Sequence, residues 1–179
     1  MTELAREYGD GLYALSAEEK LCDEVLEQLA SLKTCFREQP EFLKLLSNMS
    51  LGKQERIGIL DNALRGQIHP YVLNFLKILT EKGYIRRFSD CCKAFRQLYN
   101  EDHGILEVFA YTAIALNEDQ KQRLSQKLQA VTGKTIDLIN RVDPSCLGGV
   151  RLDYDGKRVD DTVSHRLATI SALLKNTVL

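Results

Sequence analysis

Two adjacent cysteines, Cys91 and Cys92, are the residues whose type and spacing could most readily support covalent or redox chemistry. A cysteine nucleophile needs a base, and Cys, His and Asp side chains can converge from distant positions in a fold. Cys92, however, continues an apolar series at helical spacing that includes Phe88, Phe95 and Tyr99. We therefore interpret the cysteines as core side chains, because buried cysteine packs as a small hydrophobic residue. A cysteine-dependent enzyme or redox sensor is the competing hypothesis.

Other residues that commonly bind metals or phosphates lie at spacings that do not predict such a site. The five cysteines contain no CxxC pair, and His69, His103 and His165 each lack a second histidine or cysteine three or four residues away. Gly148 and Gly149 lack the spacing of a phosphate-binding loop, which favours a bulge or a close backbone approach. Four aspartates do not match a calcium-binding loop and are interpreted as turn formers, caps and edge charges: Asp153, Asp155, Asp160 and Asp161. We predict no catalytic residues, no metal and no cofactor.

Charge and composition narrow the class of partner. The 179 residues contain 24 Lys and Arg against 25 Asp and Glu, so the chain lacks the positive field that attracts nucleic acids or anionic lipids. Hydrophobic residues make up 44% of the chain, which is enough for a packed core. No apolar run approaches the roughly 20 residues of a membrane-spanning helix, and the first residues do not form a secretory signal. We expect a cytoplasmic protein without direct membrane insertion that binds no nucleic acid.

The elements that position these residues fall into two regions that meet near Gly104. Before Gly104, apolar spacing and capping residues predict six helices. The first covers residues 2–15, and Ser16 is expected to open a capping box for the second. Pro40 fits the first turn of a third helix, Ser50 is expected to cap the fourth, and two longer helices follow.

The predicted fifth helix carries apolar residues around more of its circumference than one core-facing stripe occupies. These residues are Val72, Leu73, Phe75, Leu76, Ile78 and Leu79. The first helix adds Tyr8, Leu12 and Tyr13. Simple core packing is one interpretation of this set. The other is a groove that accepts an amphipathic helix of a partner, because such a helix needs an apolar floor on which to bury its own stripe.

After Gly104 the hydrophobic period changes. Residues 105–116 favour a strand, and Asn117 opens a helix that ends at Gly133. Two or three further strands follow, with Asp155-Gly156 as a strong two-residue hairpin signal. The inward side chains of the helix are expected to be Leu124, Leu128 and Val131. A last helix, capped by Asp161 or Thr162, has an apolar face formed by Val163, Leu167, Ile170 and Leu174.

The predicted fold class is therefore mainly α. A six-helix bundle over residues 1–104 is followed by a small α/β domain over residues 105–179.

Two runs in the second region resemble a known family. The sequence VDPSCLGGVRL over residues 142–152, followed by DGKRVD over 155–160, is similar to the signature of the delta subunit of F-type ATP synthase. The mitochondrial member of that family is the oligomycin-sensitivity-conferring protein. The run YGDGLYAL over residues 8–15 is similar to the family's opening helix. The resemblance spans essentially the whole chain, and its signature residues with an expected structural role are Asp143, Pro144, Gly148, Gly149 and Asp160.

This resemblance implies a non-catalytic stator subunit that resists rotor torque during proton-driven ATP synthesis. It implies that the N-terminal segments of alpha subunits bind the first and fifth helices, through Tyr8, Leu12, Tyr13, Val72, Phe75, Leu76 and Leu79. It also implies that the b subunit of the peripheral stalk binds the last helix, through Val163, Leu167, Ile170 and Leu174. The expected location is then peripheral, at the cytoplasmic side of the plasma (inner) membrane. The alternative is a helical adaptor or regulator of another assembly.

Overall fold

The structure is a computed structural model that describes residues 2–165 and residue 167. The chain forms two compact units, Met1–Tyr99 and Asn100–Leu179. The sequence-based boundary at Gly104 falls within a few residues of this division. Each unit has its own cluster of buried apolar side chains.

The first unit is built from helices, as the apolar spacing predicts. Their bounds are α1 Glu3–Glu18, α2 Cys22–Glu38, α3 Pro40–Leu46, α4 Lys53–Leu64, α5 Pro70–Glu81 and α6 Phe88–Asp102, with a 3-10 turn at Ile85–Arg87. Pro40 and Pro70 each occupy the first turn of a helix, where a missing backbone N–H has no cost. The six predicted helices are confirmed.

The capping role predicted for Ser16 is wrong. Ser16 lies inside α1 and is buried, and its hydroxyl donates a hydrogen bond to the carbonyl of Leu12 at 2.7 Å. The helix ends further on, where Lys20 adopts a left-handed conformation with φ 57°. The N–H of Lys20 then bonds to Ala17 and the N–H of Leu21 to Ser16, which is the Schellman pattern of helix termination.

The capping role predicted for Ser50 is also wrong, because α4 begins three residues later with Gly52 as its N-cap residue. The backbone N–H of Ser50 instead donates to the side-chain oxygen of Asn48 at 3.0 Å. This turn competes locally with helix formation, as Asn side chains commonly do.

The core of the first unit contains side chains from all of its helices. Helix α1 approaches α6 closely at Gly9, where an added Cβ would lie 2.6 Å from the Cβ of Ala94 and 2.7 Å from the carbonyl oxygen of Cys91. Tyr13, one turn further, packs edge-on against Phe95 with ring centroids 5.3 Å apart. The absence of a side chain at Gly9 therefore permits the close approach of α1 and α6, and the contact between Tyr13 and Phe95 joins the same two helices.

Arg56 is a charged side chain in the interior of the first unit. Its Nη1 donates hydrogen bonds to the carbonyl oxygens of Leu46, at 3.3 Å, and Thr80, at 3.1 Å. These carbonyls lie in the last turns of α3 and α5, where aligned peptide dipoles concentrate partial negative charge. Arg56 thus connects the ends of two helices.

Over the residues that the structure describes, the second unit contains a four-stranded sheet and a helix that packs on it. Its elements are β1 Ile105–Thr112, α7 Glu118–Thr132, β2 Thr135–Val142, β3 Val150–Tyr154 and β4 Lys157–Asp160, with a 3-10 turn at Pro144–Cys146. The strand order is β2-β1-β3-β4. Strand β1 pairs in parallel with β2 and antiparallel with β3, and β3 pairs antiparallel with β4. The predicted combination of a helical first part and a small α/β unit is confirmed.

Most of the helix caps and turns that the sequence predicts in this unit are present in the structure. Asn117 and Gln120 form a reciprocal capping box at the start of α7, and Gly133 ends the helix with φ 70°. The two residues of the β3–β4 turn both have positive φ, 45° at Asp155 and 71° at Gly156, as a type I′ hairpin requires. Thr162 Oγ1 accepts the N–H of His165 at 3.2 Å, which is the capping role predicted for Thr162.

The prediction that Val131 faces inward is wrong. Leu124 and Leu128 pack against the sheet, but Val131 is 86% exposed. The apolar stripe of α7 therefore continues beyond the part of the helix that contacts the sheet.

Candidate protein-binding surfaces

The residues predicted to form a groove on the first and fifth helices lie mainly inside the first unit. Tyr8 is half-buried, and the others are buried against the core of their own chain: Leu12, Tyr13, Val72, Phe75, Leu76 and Leu79. They pack together within one cluster. In this conformation they are packed beneath α1 and α5 and do not form an open surface.

Other apolar side chains of the same two helices are exposed. Leu15 on α1 is 40% exposed and Ile78 on α5 is 44% exposed. Tyr8 stacks at a tilt against exposed Tyr84, just beyond α5, with ring centroids 6.3 Å apart. Ile78 belongs to the apolar set of the predicted fifth helix but not to the predicted alpha contact. Its position on the side of α5 opposite Leu76 and Leu79 is the signal that could have assigned it to an exposed surface.

The signature residues Asp143 and Pro144 form the turn after β2. Asp143 Oδ1 accepts hydrogen bonds from the backbone N–H of Ser145 at 3.1 Å and from its hydroxyl at 2.6 Å. These donors lower the pKa of the Asp143 carboxyl below its usual range, with a further contribution from the Arg151 guanidinium. Pro144 begins the 3-10 turn that follows.

The glycines Gly148 and Gly149 mark a close backbone approach, as the sequence predicts. Gly149 has φ 77°, and an added Cβ would collide with the carbonyl oxygen of Asp161 and lie 3.1 Å from the Cα of Thr162. The carbonyl of Gly148 accepts the N–H of Val163 at 3.0 Å. The chain beyond β4 is therefore held against the turn before β3.

Asp160 caps the chain where it leaves β4. Its Oδ1 accepts hydrogen bonds from the backbone N–H of Thr162 at 3.1 Å and from its hydroxyl at 2.7 Å. These bonds lower the pKa of the Asp160 carboxyl. Three signature residues, Gly148, Gly149 and Asp160, thus contact the start of the following segment.

The residues predicted to contact the peripheral stalk lie at that segment. Val163 and Leu167 are both exposed, Leu167 by 55%. Ile170 and Leu174 lie outside the residues that the structure describes.

The two adjacent cysteines occupy the core, as predicted. Burial raises the pKa of Cys91 to about 11 and that of Cys92 to about 12. Both thiols are therefore protonated at neutral pH, whereas a cysteine nucleophile needs a lowered pKa and some exposure. This finding disfavours the hypothesis of a cysteine-dependent enzyme or redox sensor at these residues.

The described part of the chain holds no cluster of three or more His, Cys, Asp or Glu side chains that could bind a metal ion. His69 instead caps α5, with its Nδ1 accepting the N–H of Tyr71 at 3.2 Å. Over the same residues, none of the helices combines the length and the apolar character that crossing a lipid bilayer requires.

A helical unit followed by a small mixed α/β unit defines the structural class of this chain. The same fold occurs in a chain of the cryo-EM structure of the Toxoplasma gondii mitochondrial ATP synthase hexamer, with a TM-score of 0.78. The match covers 97% of this chain and 98% of that chain at 18% sequence identity.

Sequence comparison identifies the family. The family model of the ATP synthase delta (OSCP) subunit matches residues 4–174. The ATP synthase subunit delta of Alkaliphilus oremlandii is 31% identical over 175 residues, with 97% of each chain covered. That of Lactobacillus gasseri is 34% identical over 169 residues, covering 94% of this chain and 92% of the relative. The chain belongs to the ATP synthase delta (OSCP) subunit family, as the signature runs predict.

Proposed function

We propose that this chain is a non-catalytic stator subunit of F-type ATP synthase. In this role it links the N-terminal segments of alpha subunits in the catalytic head to the b subunit of the peripheral stalk. The link stops the head from turning with the rotor, so that torque drives ATP synthesis. The observation that carries the proposal is family membership over residues 4–174, which include both units.

For the alpha contact, the exposed apolar side chains of α1 and α5 support a surface that includes Leu15, Ile78 and half-buried Tyr8. A partner helix that covers these side chains removes apolar area from water, which stabilises the complex. The buried residues beneath them, such as Leu76, keep the two helices in place. The proposed contact is therefore made by exposed side chains of α1 and α5 and not by the buried residues predicted to form the groove.

For the stalk contact, Val163 and Leu167 support a second surface in the other unit. Separate surfaces on separate units suit a linker, because each partner can bind without displacing the other. The same role implies a peripheral location at the cytoplasmic side of the inner membrane.

The alpha contact is tested by calorimetric titration of the full chain with a synthetic peptide of an alpha-subunit N-terminal segment. We expect a dissociation constant in roughly the micromolar range, as for a helix that docks in a groove. Ile78→Glu should weaken binding by about tenfold or more, because it places a charge where apolar area is buried. Leu45→Glu is the matched control, since Leu45 is 41% exposed on α3 and Ile78 is 44% exposed. Absence of binding, or equal loss in both variants, contradicts the proposed contact.

The stalk contact is tested by co-purification of the full chain with the soluble part of the b subunit. Leu167→Glu should reduce the recovered complex, while Ile114→Glu should not, although Ile114 is also an exposed apolar residue of the second unit. Recovery that is unchanged by Leu167→Glu would remove this surface from the proposal.

A further inference from the structure

The first unit contains a cleft between α2 and α6 that is separate from the exposed residues of α1 and α5. The two helices are joined at both ends. Phe36 packs edge-on against Phe88 with ring centroids 5.1 Å apart, and at the opposite ends the Tyr99 hydroxyl donates to Asp23 Oδ1 at 2.5 Å. Between these contacts lies a cleft of about 530 Å³.

The floor of the cleft is apolar. Buried Leu29, Phe88 and Cys92 line it together with half-buried Leu26. On α2 the lining extends from Leu26 to Arg37, about 16 Å along the axis at 1.5 Å per residue. This length equals about three turns of an α-helix.

The rim of the cleft is cationic, although the whole chain is nearly neutral. Its charged residues are Lys33, Arg37, Arg86, Lys93 and Arg96, and no Asp or Glu lines it. Lys93 pairs with Asp90 at 3.3 Å, and Arg86 Nε donates to Ser47 Oγ at 3.1 Å.

Within the described residues, Lys33 and Arg37 form no ion pair. They lie one turn apart on the same face of α2, and like charges at this spacing are mildly destabilising. An acidic partner would remove this repulsion and place a carboxylate beside each cation.

The shape of the cleft and its charge select one kind of occupant. An anionic bilayer presents a plane, which does not reach an apolar floor between two helices. A single-tailed acid offers one negative charge to a rim of several cations. A helix with a narrow apolar stripe fills a cleft of three turns and carries several carboxylates on its flanks.

We propose that the α2–α6 cleft binds an acidic amphipathic helix of about three turns from a partner protein. The apolar stripe of that helix packs on Leu29 and Phe88, and its carboxylates pair with Lys33 and Arg37. This inference does not depend on the proposed alpha and stalk contacts, because it concerns different residues.

The test uses the full chain and an 18-residue synthetic peptide. Its leucines are spaced alternately three and four residues apart, so that they form one stripe along the helix. One tryptophan lies on the same stripe, and glutamates lie on both flanks. Because the chain contains no Trp, the tryptophan fluorescence of the peptide reports burial of the stripe without tryptophan emission from the protein. We expect a blue shift with a dissociation constant of roughly 1 to 10 μM at low salt, weakening as salt rises. A peptide with lysines in place of the glutamates should bind at least about tenfold more weakly.

Charge reversal locates the binding site. The double variant Lys33→Glu and Arg37→Glu should weaken binding by about tenfold or more, because it turns attraction into repulsion. The matched control, Lys53→Glu with Lys127→Glu, changes net charge equally at exposed positions outside the cleft. Circular dichroism verifies that both variants are folded.

Three outcomes overturn the proposal. The first is absence of a blue shift with the acidic peptide. The second is equal weakening in the two double variants, or weakening by Ile78→Glu alone, which would assign the peptide to the surface of α1 and α5. The third is binding of the cleft to anionic phospholipid vesicles, abolished by reversal of Lys33 and Arg37, while the peptide does not bind.

Discussion

The two units of this chain obtain their stability in different ways. In the first unit, α5 alone buries Val72, Leu76 and Leu79 completely, and Phe95 of α6 is fully buried as well. In the second unit, α7 has no buried residue, and the buried side chains of the apolar cluster belong to the sheet: Leu106, Val108, Ala110 and Leu152.

The difference indicates which interactions each unit depends on for its stability. The first unit depends on close packing between helices, where each removed or added methyl group is felt. The second depends more on backbone pairing in the sheet and on hydrogen-bonded turns such as those at Asp143 and Asp160. Hydrogen exchange of the intact chain reports the stability of each unit separately and therefore tests this comparison.

The largest expected difference comes from one substitution made in both units. Leu76→Ala should destabilise the first unit by about 2 to 5 kcal/mol, because it opens a cavity at a fully buried position. Leu124→Ala should cost the second unit only about 1 to 2 kcal/mol, because Leu124 is half-buried on the sheet. Hydrogen exchange under native conditions measures both values. Equal losses of stability in the two units would contradict the proposed difference between them.

A smaller effect is expected where α1 crosses α6. Gly9→Ala should destabilise the first unit by up to about 3 kcal/mol, because the new Cβ meets Ala94 and the carbonyl of Cys91. Gly11→Ala is the matched control in the same helix, since nothing lies within 4 Å of its added Cβ. It should stabilise α1 by up to about 1 kcal/mol, owing to the higher helix propensity of alanine. Urea unfolding followed by circular dichroism measures both, and a neutral Gly9→Ala would contradict the close crossing.

We expect the corresponding glycine substitution in the second unit to destabilise that unit by about 2 kcal/mol. Gly149→Ala combines a left-handed conformation with a collision at the carbonyl of Asp161. Gly133→Ala shares the positive φ but has nothing within 4 Å, so it should cost only about 1 kcal/mol. Amide exchange at β3 measures the difference. Equal effects of the two variants would show that conformation, not close approach, explains Gly149.

The smallest expected effect is a pH dependence of the second unit. Hydrogen bonds from Thr162 hold the pKa of Asp160 below its ordinary value of 3.8. The stabilising contribution of the carboxylate is therefore fully present above about pH 4 and is lost as pH falls through the lowered pKa. Asp160→Ala should weaken the second unit at pH 6, and the deficit relative to the unsubstituted chain should shrink at pH 3. Urea titration followed by amide signals of each unit checks this, and a deficit independent of pH would contradict it.

The sequence predicted those elements whose signals are local. The reciprocal cap of Asn117 and Gln120 and the hairpin at Asp155-Gly156 each involve residues close in the chain, so their geometry follows from residue type. The parallel pairing of β1 with β2 was not predictable in this way, because it joins residues about 30 positions apart.

The candidate contacts were harder to predict than the elements. An apolar stripe on a helix indicates that the stripe is covered but does not identify what covers it. Leu76 and Leu79 are covered by their own chain, whereas Ile78, between them in sequence, is exposed. Ser16 was misassigned for a related reason, since a serine followed by Glu19 fits a helix start as well as a hydroxyl bonded back to Leu12.

The strand directions have a mechanical consequence. Strands β1 and β4 point the same way, because each is antiparallel to β3. Opposite pulls on Ile105, where β1 begins, and Asp160, where β4 ends, therefore act along the strands. Backbone hydrogen bonds between antiparallel strands lie perpendicular to this direction, so they are stressed in shear and share the force instead of separating one at a time. A tensile force applied between these two residues is therefore resisted by the sheet in shear, which is the direction in which it is stiffest.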